Sequence, residues 1–180
     1  MREQALEEIK KRIKNKNLLK HMLATEACMK ELAKNFNEDQ DIWALSGLVH
    51  DIDYEETKDT PEKHATLGAE ILKSLGYDKK ITDAVLAHAG KKTPENKLEW
   101  ALYAVDPLTG LIVASALMHP EKKLWSIDVN FILRRFKEKR FAAGANREQI
   151  KKCSEIGLSL NEFISICLKA MQSISKELGL

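Results

Sequence analysis

The sequence predicts an all-α protein. Three observations carry that expectation. Apolar residues recur at spacings of three and four along most of the 180-residue chain. Capping words (Asn37 and Asp39, Asp78, Thr93 before Pro94) and terminating glycines (Gly76, Gly90) punctuate the periodic stretches. No stretch alternates polar and apolar long enough for a strand. Leu111-Ile112-Val113 contains two β-branched residues but is short and sits inside a helical pattern.

Residues 3–36 read as one helix or two short ones. Leu18, Met22, Thr25, Met29 and Leu32 form its stripe, with His21 beside it in line with Thr25, Cys28 and Leu32. After the Asn37–Asp39 turn, a helix over about 39–50 carries Ile42, Leu45, Val49 and Ile52 on one face, and His50-Asp51 falls at its end. Residues 52–61 read as a polar loop. Thr60-Pro61-Glu62 signals a helix with His64, Leu67, Gly68, Ile71 and Leu75 in line, closed by Gly76. Asp78 caps a helix aligning Ile81, Val85 and His88. Thr93-Pro94-Glu95 opens another, with Leu98, Leu102, Val105-Asp106 and Thr109 in line. Pro107 is expected to kink or break it after Asp106. Residues 1–120 are thus expected to form a helical core. Helices over about 127–138 and 146–177 should pack on it as a C-terminal section, 121–180, in one compact domain. The linker between them, residues 139–147, is basic and contains Gly144.

With 44% hydrophobic and 31% charged residues, the composition fits one well-cored globular domain. The net charge of +2 does not by itself call for a nucleic-acid or membrane partner, and a homodimer is compatible with it. Residues 1–20 lack the apolar run of a signal peptide. The apolar stretches 101–118 and 156–174 are interrupted by Asp106 and Pro107, and by Asn161, Glu162 and Lys169, so neither is expected to span a bilayer. Cys28, Cys153 and Cys167 form no C-x-x-C pair. Buried reduced thiols and a cytoplasmic setting are expected. Met22, Met29, Met118, Met171, Trp43, Trp100 and Trp125 read as packing residues.

Six residues stand out: His21, His50, Asp51, His64, His88 and Asp106. A single histidine beside an apolar stripe is more often a satisfied core residue than a ligand. A carboxylate there is harder to accommodate, because an unpaired charge resists desolvation. Here six such groups come from five expected helices, each at the apolar face. A shared cation answers the burial problem for all of them. Mixed imidazole and carboxylate ligation suits Mn, Fe, Co, Ni or Zn better than Ca or Mg, so one or two divalent transition metal ions are the expected cofactor.

The order His21, His50-Asp51, Asp106 resembles the HD superfamily of metal-dependent phosphohydrolases. So do the apolar run into His50-Asp51, the His-x-x-x-Gly of His64 to Gly68 and the Leu-Ala-His of residues 86–88. The resemblance spans residues of about 15–120 and implies an HD-domain helical bundle. It implies that His21, His50, Asp51 and Asp106 bind one metal. By the same resemblance His64 and His88 serve a second, with Asp51 bridging. The chain departs from the cyclic-dinucleotide phosphodiesterases of that superfamily. Ile52-Asp53-Tyr54 stands where they carry Gly-Lys, and Ala87-His88-Ala89 where they carry a double histidine. The layout looks closer to small bacterial members that cleave dinucleoside polyphosphates.

The expected activity is hydrolysis of a small phosphorylated substrate, a nucleotide in particular, by a metal-bound hydroxide. Asp51 is the bridging ligand, and Asp53, Glu55 or Glu56 is the candidate general base or water-orienting group, set against a plain reading as a solvated loop. Lys91, Lys92, Arg140 and Arg147 are the candidate phosphate contacts. Lysines at a helix end and a basic solvated face are the alternative explanations. Two other functions are open to the same sequence. One is a di-iron oxygenase on the same scaffold; the other is a non-enzymatic module binding a ligand or nucleic acid through residues 134–152.

Overall fold

The computed structural model describes residues 1–180 and is helical throughout, with no strand. The N-terminal pattern forms two helices, α1 (Arg2–Arg12) and α2 (Lys16–Phe36). Asn15 separates them: its side chain accepts the free N–H groups of Asn17 and Leu18 at the start of α2. Asn37 ends α2 in the left-handed region, φ 55°, and Asp39 caps α3 (Gln40–Val49). A single turn, α4 (Tyr54–Thr57), follows. Then come α5 (Thr66–Ser74), α6 (Lys79–His88) capped by Asp78, and α7 (Lys97–Met118).

Helices α2, α3, α6 and α7 pack on one another and form the frame. Helices α2 and α3 touch most closely at Gly47. A Cβ there would lie 2.8 Å from the Thr25 carbonyl oxygen, so only glycine lets the two backbones meet. That contact sets His21 on α2 against His50 at the end of α3. One apolar cluster joins α1, α2, α3, α5 and α6 through Ile9, Met22, Leu48, Ile52, Leu72 and Ile81. A larger one joins α2 and α7 to the C-terminal helices through Leu32, Leu102, Leu108, Ile132, Ile150, Phe163 and Met171.

The C-terminal helices are α8 (Val129–Lys137), α9 (Arg147–Lys151), α10 (Leu160–Ser173) and α11 (Ser175–Leu178). The single helix expected over 146–177 is therefore divided. Gly157, at φ 81°, ends a 3-10 segment (Lys152–Ile156), and Ser159 with Glu162 forms a capping box that restarts the chain as α10.

Several other expectations need correction. Thr60-Pro61-Glu62 opens only one 3-10 turn, Pro61–Lys63, and His64 lies in the extended residue after it, not on a helix. The cap-then-proline word at Thr93-Pro94 does not start α7; Asn96 does, by accepting the Glu99 N–H. Pro107 neither breaks nor ends α7, which runs on to Met118. The only helical bond it deletes is to the Tyr103 carbonyl, in a helix braced on both sides by packed neighbours. The polar loop over 52–61 is partly interior: Asp53 is fully buried and Thr57 nearly so. Met118 and Trp125 are exposed, not packed, and the Trp125 indole N–H donates to Ser175 Oγ. All three cysteines are free and buried. Helix α7 is long and apolar enough in composition to cross a membrane, yet 56% of its most apolar window is packed inside the molecule.

Candidate metal centre

Four helices and one extended residue bring the six residues together. His21 comes from the second turn of α2, His50 and Asp51 from the end of α3, His88 from the last turn of α6, Asp106 from the middle of α7, and His64 from the link into α5. His21 Nε2 lies 3.1 Å from His50 Nε2, 3.1 Å from Asp106 Oδ1 and 3.7 Å from Asp51 Oδ2. His50 Nε2 lies 3.4 Å from the same Asp51 oxygen. The other Asp51 oxygen, Oδ1, faces His64 Nε2 at 3.4 Å and His88 Nε2 at 3.6 Å. The Asp51 carboxylate therefore divides the four histidines into two pairs, one on each oxygen.

Each histidine presents Nε2 because its Nδ1 is occupied elsewhere. His50 Nδ1 donates to the Gly47 carbonyl at 2.8 Å, and His88 Nδ1 to the Val85 carbonyl. Both rings use the same local device: a carbonyl three residues back, left without a helical donor at a C-terminus, accepts the ring N–H. His21 Nδ1 donates to Thr109 Oγ1 at 2.9 Å, since that hydroxyl already donates to the Asp106 carbonyl. His64 Nδ1 donates to Asp53 Oδ1 at 3.1 Å. This pattern fixes one tautomer in all four rings, leaving each Nε2 lone pair free to ligate.

Asp53 is a buried positioning group. Besides His64, its carboxylate accepts the backbone N–H groups of Ala65 (2.8 Å) and Gly68 (3.0 Å). Ala65 is held at φ 65°, a conformation an alanine adopts only when its surroundings compel it. Gly68 leaves room at the other end: a Cβ there would press on the Asp53 carboxylate at 3.1 Å. Glu55 and Glu56, by contrast, face away. Glu55 accepts the Lys14 and Asn15 N–H groups at the break before α2, and Glu56 pairs with Arg12.

The electrostatics favour a cation. Burial tends to lower the His50 pKa, but the Asp51 and Asp106 carboxylates outweigh it and hold the imidazole well above its ordinary value. Burial likewise tends to raise Asp51 and Asp106; for Asp51 the His50 and His88 rings, and for Asp106 the His21 and His50 rings, hold the carboxyl well below the ordinary range. His64 is raised by Asp53 and Asp51 against the effect of burial. Two imidazole nitrogens 3.1 Å apart, both facing carboxylate oxygens, need a proton or a metal ion between them. Donor atoms around one ion at about 2.1 Å stand about 3.0 Å apart at right angles and about 3.4 Å at the tetrahedral angle. The observed separations match. His21, His50 and Asp106 form one set with donor atoms within 4.8 Å of one another, and His50, Asp51 and His88 another.

The candidate phosphate contacts are more dispersed. Lys91 Nζ rests on the Glu62 carbonyl at 2.8 Å, beside the segment carrying His64. Lys92 is paired with Glu95 and the buried Glu99. Arg140 is exposed on the linker before α9. Arg147 donates to the carbonyls of Phe136, Phe141, Ala142 and Ala145, so its guanidinium holds the linker closed and has no face left for an anion. Sequence reasoning missed Tyr103 and Gln149, which line a cavity with His64, His88 and Asp106. It also missed the part of Thr109 in fixing His21. Thr109, three residues past Asp106 on one stripe, was detectable; Gln149, from the C-terminal section, was not.

These features define an all-helical scaffold built around a histidine–aspartate centre suited to divalent metals. The chain belongs to the HD domain family, whose model matches residues 18–117. That family comprises metal-dependent phosphohydrolases. An uncharacterized protein of Methanocaldococcus jannaschii is 30% identical over 170 residues, covering 89% of this chain and 95% of its own length. Ribonuclease Y of Oleidesulfovibrio alaskensis is 29% identical over 96 residues, or 53% of this chain. Ribonuclease Y of Roseiflexus is 34% identical over 65 residues. The matched segments are 18% and 12% of those two ribonucleases. No solved structure matches the chain.

Proposed function

We propose that the protein hydrolyses a small phosphorylated substrate of the nucleotide type at a centre of up to two divalent transition metal ions. The observation that carries this reading is the Asp51 carboxylate, each of whose oxygens faces a different pair of histidine nitrogens. In this reading His21, His50, Asp51 and Asp106 hold one ion, and His64, His88 and the second Asp51 oxygen hold another. When bound, such ions acidify a coordinated water and polarise a phosphoryl oxygen. Thr109 and Asp53 keep His21 and His64 in the ligating tautomer. Lys91 and Arg140 are the remaining candidates for the substrate's phosphate; Lys92 and Arg147 are committed to their own partners. The word ribonuclease in the names of several relatives is in keeping with a nucleotide phosphoester. The buried free cysteines fit a cytoplasmic setting.

The test is phosphate release from a panel of phosphoesters and nucleotides by protein loaded with Mn, Co, Ni or Fe. Turnover that disappears in Asp51→Ala supports the reading. A loaded protein inactive on the whole panel, or one that binds iron and consumes dioxygen, overturns it.

A further inference from the structure

Two cavities meet at the metal centre, and one face of α7 lines both. Tyr103, Asp106, Gly110, Val113 and Leu117 succeed one another at spacings of three and four, so they form one stripe along that helix. Tyr103 and Asp106 border the first cavity, with His64, His88 and Gln149. Gly110, Val113 and Leu117 border the second, a space of about 420 Å³ between α2 and α7. Its inner end is His21 and Thr109, its far walls are Ala24, Leu117 and Leu178, and Lys20 stands at its side. The stripe from Asp106 to Leu117 runs about 16 Å at helical rise. His21 in the second cavity and Asp106 in the first face each other at 3.1 Å, so the clustered residues lie between the two. The first arm is lined by polar and aromatic groups; the second combines Val113, Leu117 and Leu178 with Asn17, Lys20, His21 and Thr109.

We infer that the arm between α2 and α7 binds an apolar organic group joined to the substrate's phosphate, with Gly110 as the residue that keeps it open. The inference rests on the reading that the phosphoryl group sits at the histidine–aspartate centre. The chemistry is explicit in the lining. Val113 and Leu117 offer apolar surface on α7, backed by the buried Ala24 and Leu178. The volume lies within the range of small-molecule sites, about 300–1,000 Å³. Lys20, one residue before His21, is the cation on this lining, with its ammonium beside Gly179. Gly110 is exposed in mid-helix, where glycine costs about 1 kcal/mol relative to alanine. A Cβ there would have nothing within 4 Å, so neighbouring packing does not require glycine. The open arm does, since any larger side chain at this point of the stripe projects into it.

The experiment measures binding of three non-hydrolysable probes to metal-loaded protein by calorimetry: methylphosphonate, phenylphosphonate and hexylphosphonate. The two larger probes should bind at least about tenfold more tightly than methylphosphonate, as burial of six carbons implies. Gly110→Leu should abolish that preference while melting at or above the wild-type temperature. Tighter phenylphosphonate assigns the arm to a flat ring, and tighter hexylphosphonate to an alkyl chain. Equal binding of all three probes, or an undiminished preference in Gly110→Leu, overturns the inference. The outcomes separate from those of the hydrolysis test. Probe preference without turnover on any phosphoester leaves the arm standing and removes the hydrolase reading. Turnover with no probe preference does the reverse.

Discussion

Replacing Asp53 by Asn tests how the second pair of histidines is set. The side chain is fully buried, and its two oxygens accept three N–H groups, those of His64, Ala65 and Gly68. An amide of the same shape has one acceptor oxygen and one donating NH₂. The backbone N–H groups of Ala65 and Gly68 cannot become acceptors, so the Asn oxygen must face them and its NH₂ must face His64 Nδ1. His64 can meet that NH₂ only by giving up its Nδ1 proton and carrying it on Nε2, where it blocks ligation. Affinity at the His64–His88 side of Asp51 should therefore fall by about 10–100-fold, the usual cost of losing such a supporting partner. If His64 keeps its tautomer, two donors face each other in a buried site at a cost of about 1–3 kcal/mol. At about 2–4 °C per kcal/mol for a chain of this size, that lowers the melting temperature by several degrees. Metal affinity is read by competition with a fluorescent chelator. The tautomer is read by nitrogen chemical shifts of the imidazole rings. Wild-type affinity in Asp53→Asn, with His64 still protonated on Nδ1, would refute the reasoning.

Three further outcomes are expected. Asp51→Ala should lose metal from both sides of the centre, whereas His64→Ala and His88→Ala should chiefly reduce one equivalent; metal-to-protein ratios by mass spectrometry check this, and equal loss in all three variants contradicts the two-sided arrangement. Metal binding should strengthen as pH rises through the raised His50 value, because the proton held there by Asp51 and Asp106 must leave before Nε2 can ligate. In metal-free protein the same ion pair contributes stability between two limits: it is lost as pH rises through the elevated His50 pKa and as pH falls through the depressed Asp51 and Asp106 values. Melting temperature against pH should form a plateau that falls on both sides. Finally, Gly47→Ala should force α2 and α3 apart, since the new methyl carbon meets backbone at 2.8 Å. A cost of about 1–3 kcal/mol follows, visible in thermal unfolding together with weaker metal binding through the displaced His21 and His50.

Local signals in the sequence determined which segments are helical and which residues carry chemistry. Helical periodicity and the caps Asp39 and Asp78 act within a few residues, so they can be read along the chain. The histidine and aspartate set was legible for the same reason: such groups are conspicuous on apolar stripes. What only the tertiary structure decided concerns partners distant in sequence. Asp53 looked like part of a solvated loop, but Ala65 and Gly68 draw it inside. Arg147 looked like an anion contact, but the carbonyls of its own linker take it. Pro107 is expected to kink or break its helix, yet α7 runs on to Met118, because packing on both sides outweighs one missing hydrogen bond. The two-sided Asp51 belongs to the same kind. Periodicity places Asp51 at a helix end, but which oxygen faces which histidine depends on how α2, α3 and α6 cross, and that crossing is set by close contacts such as Gly47 against Thr25.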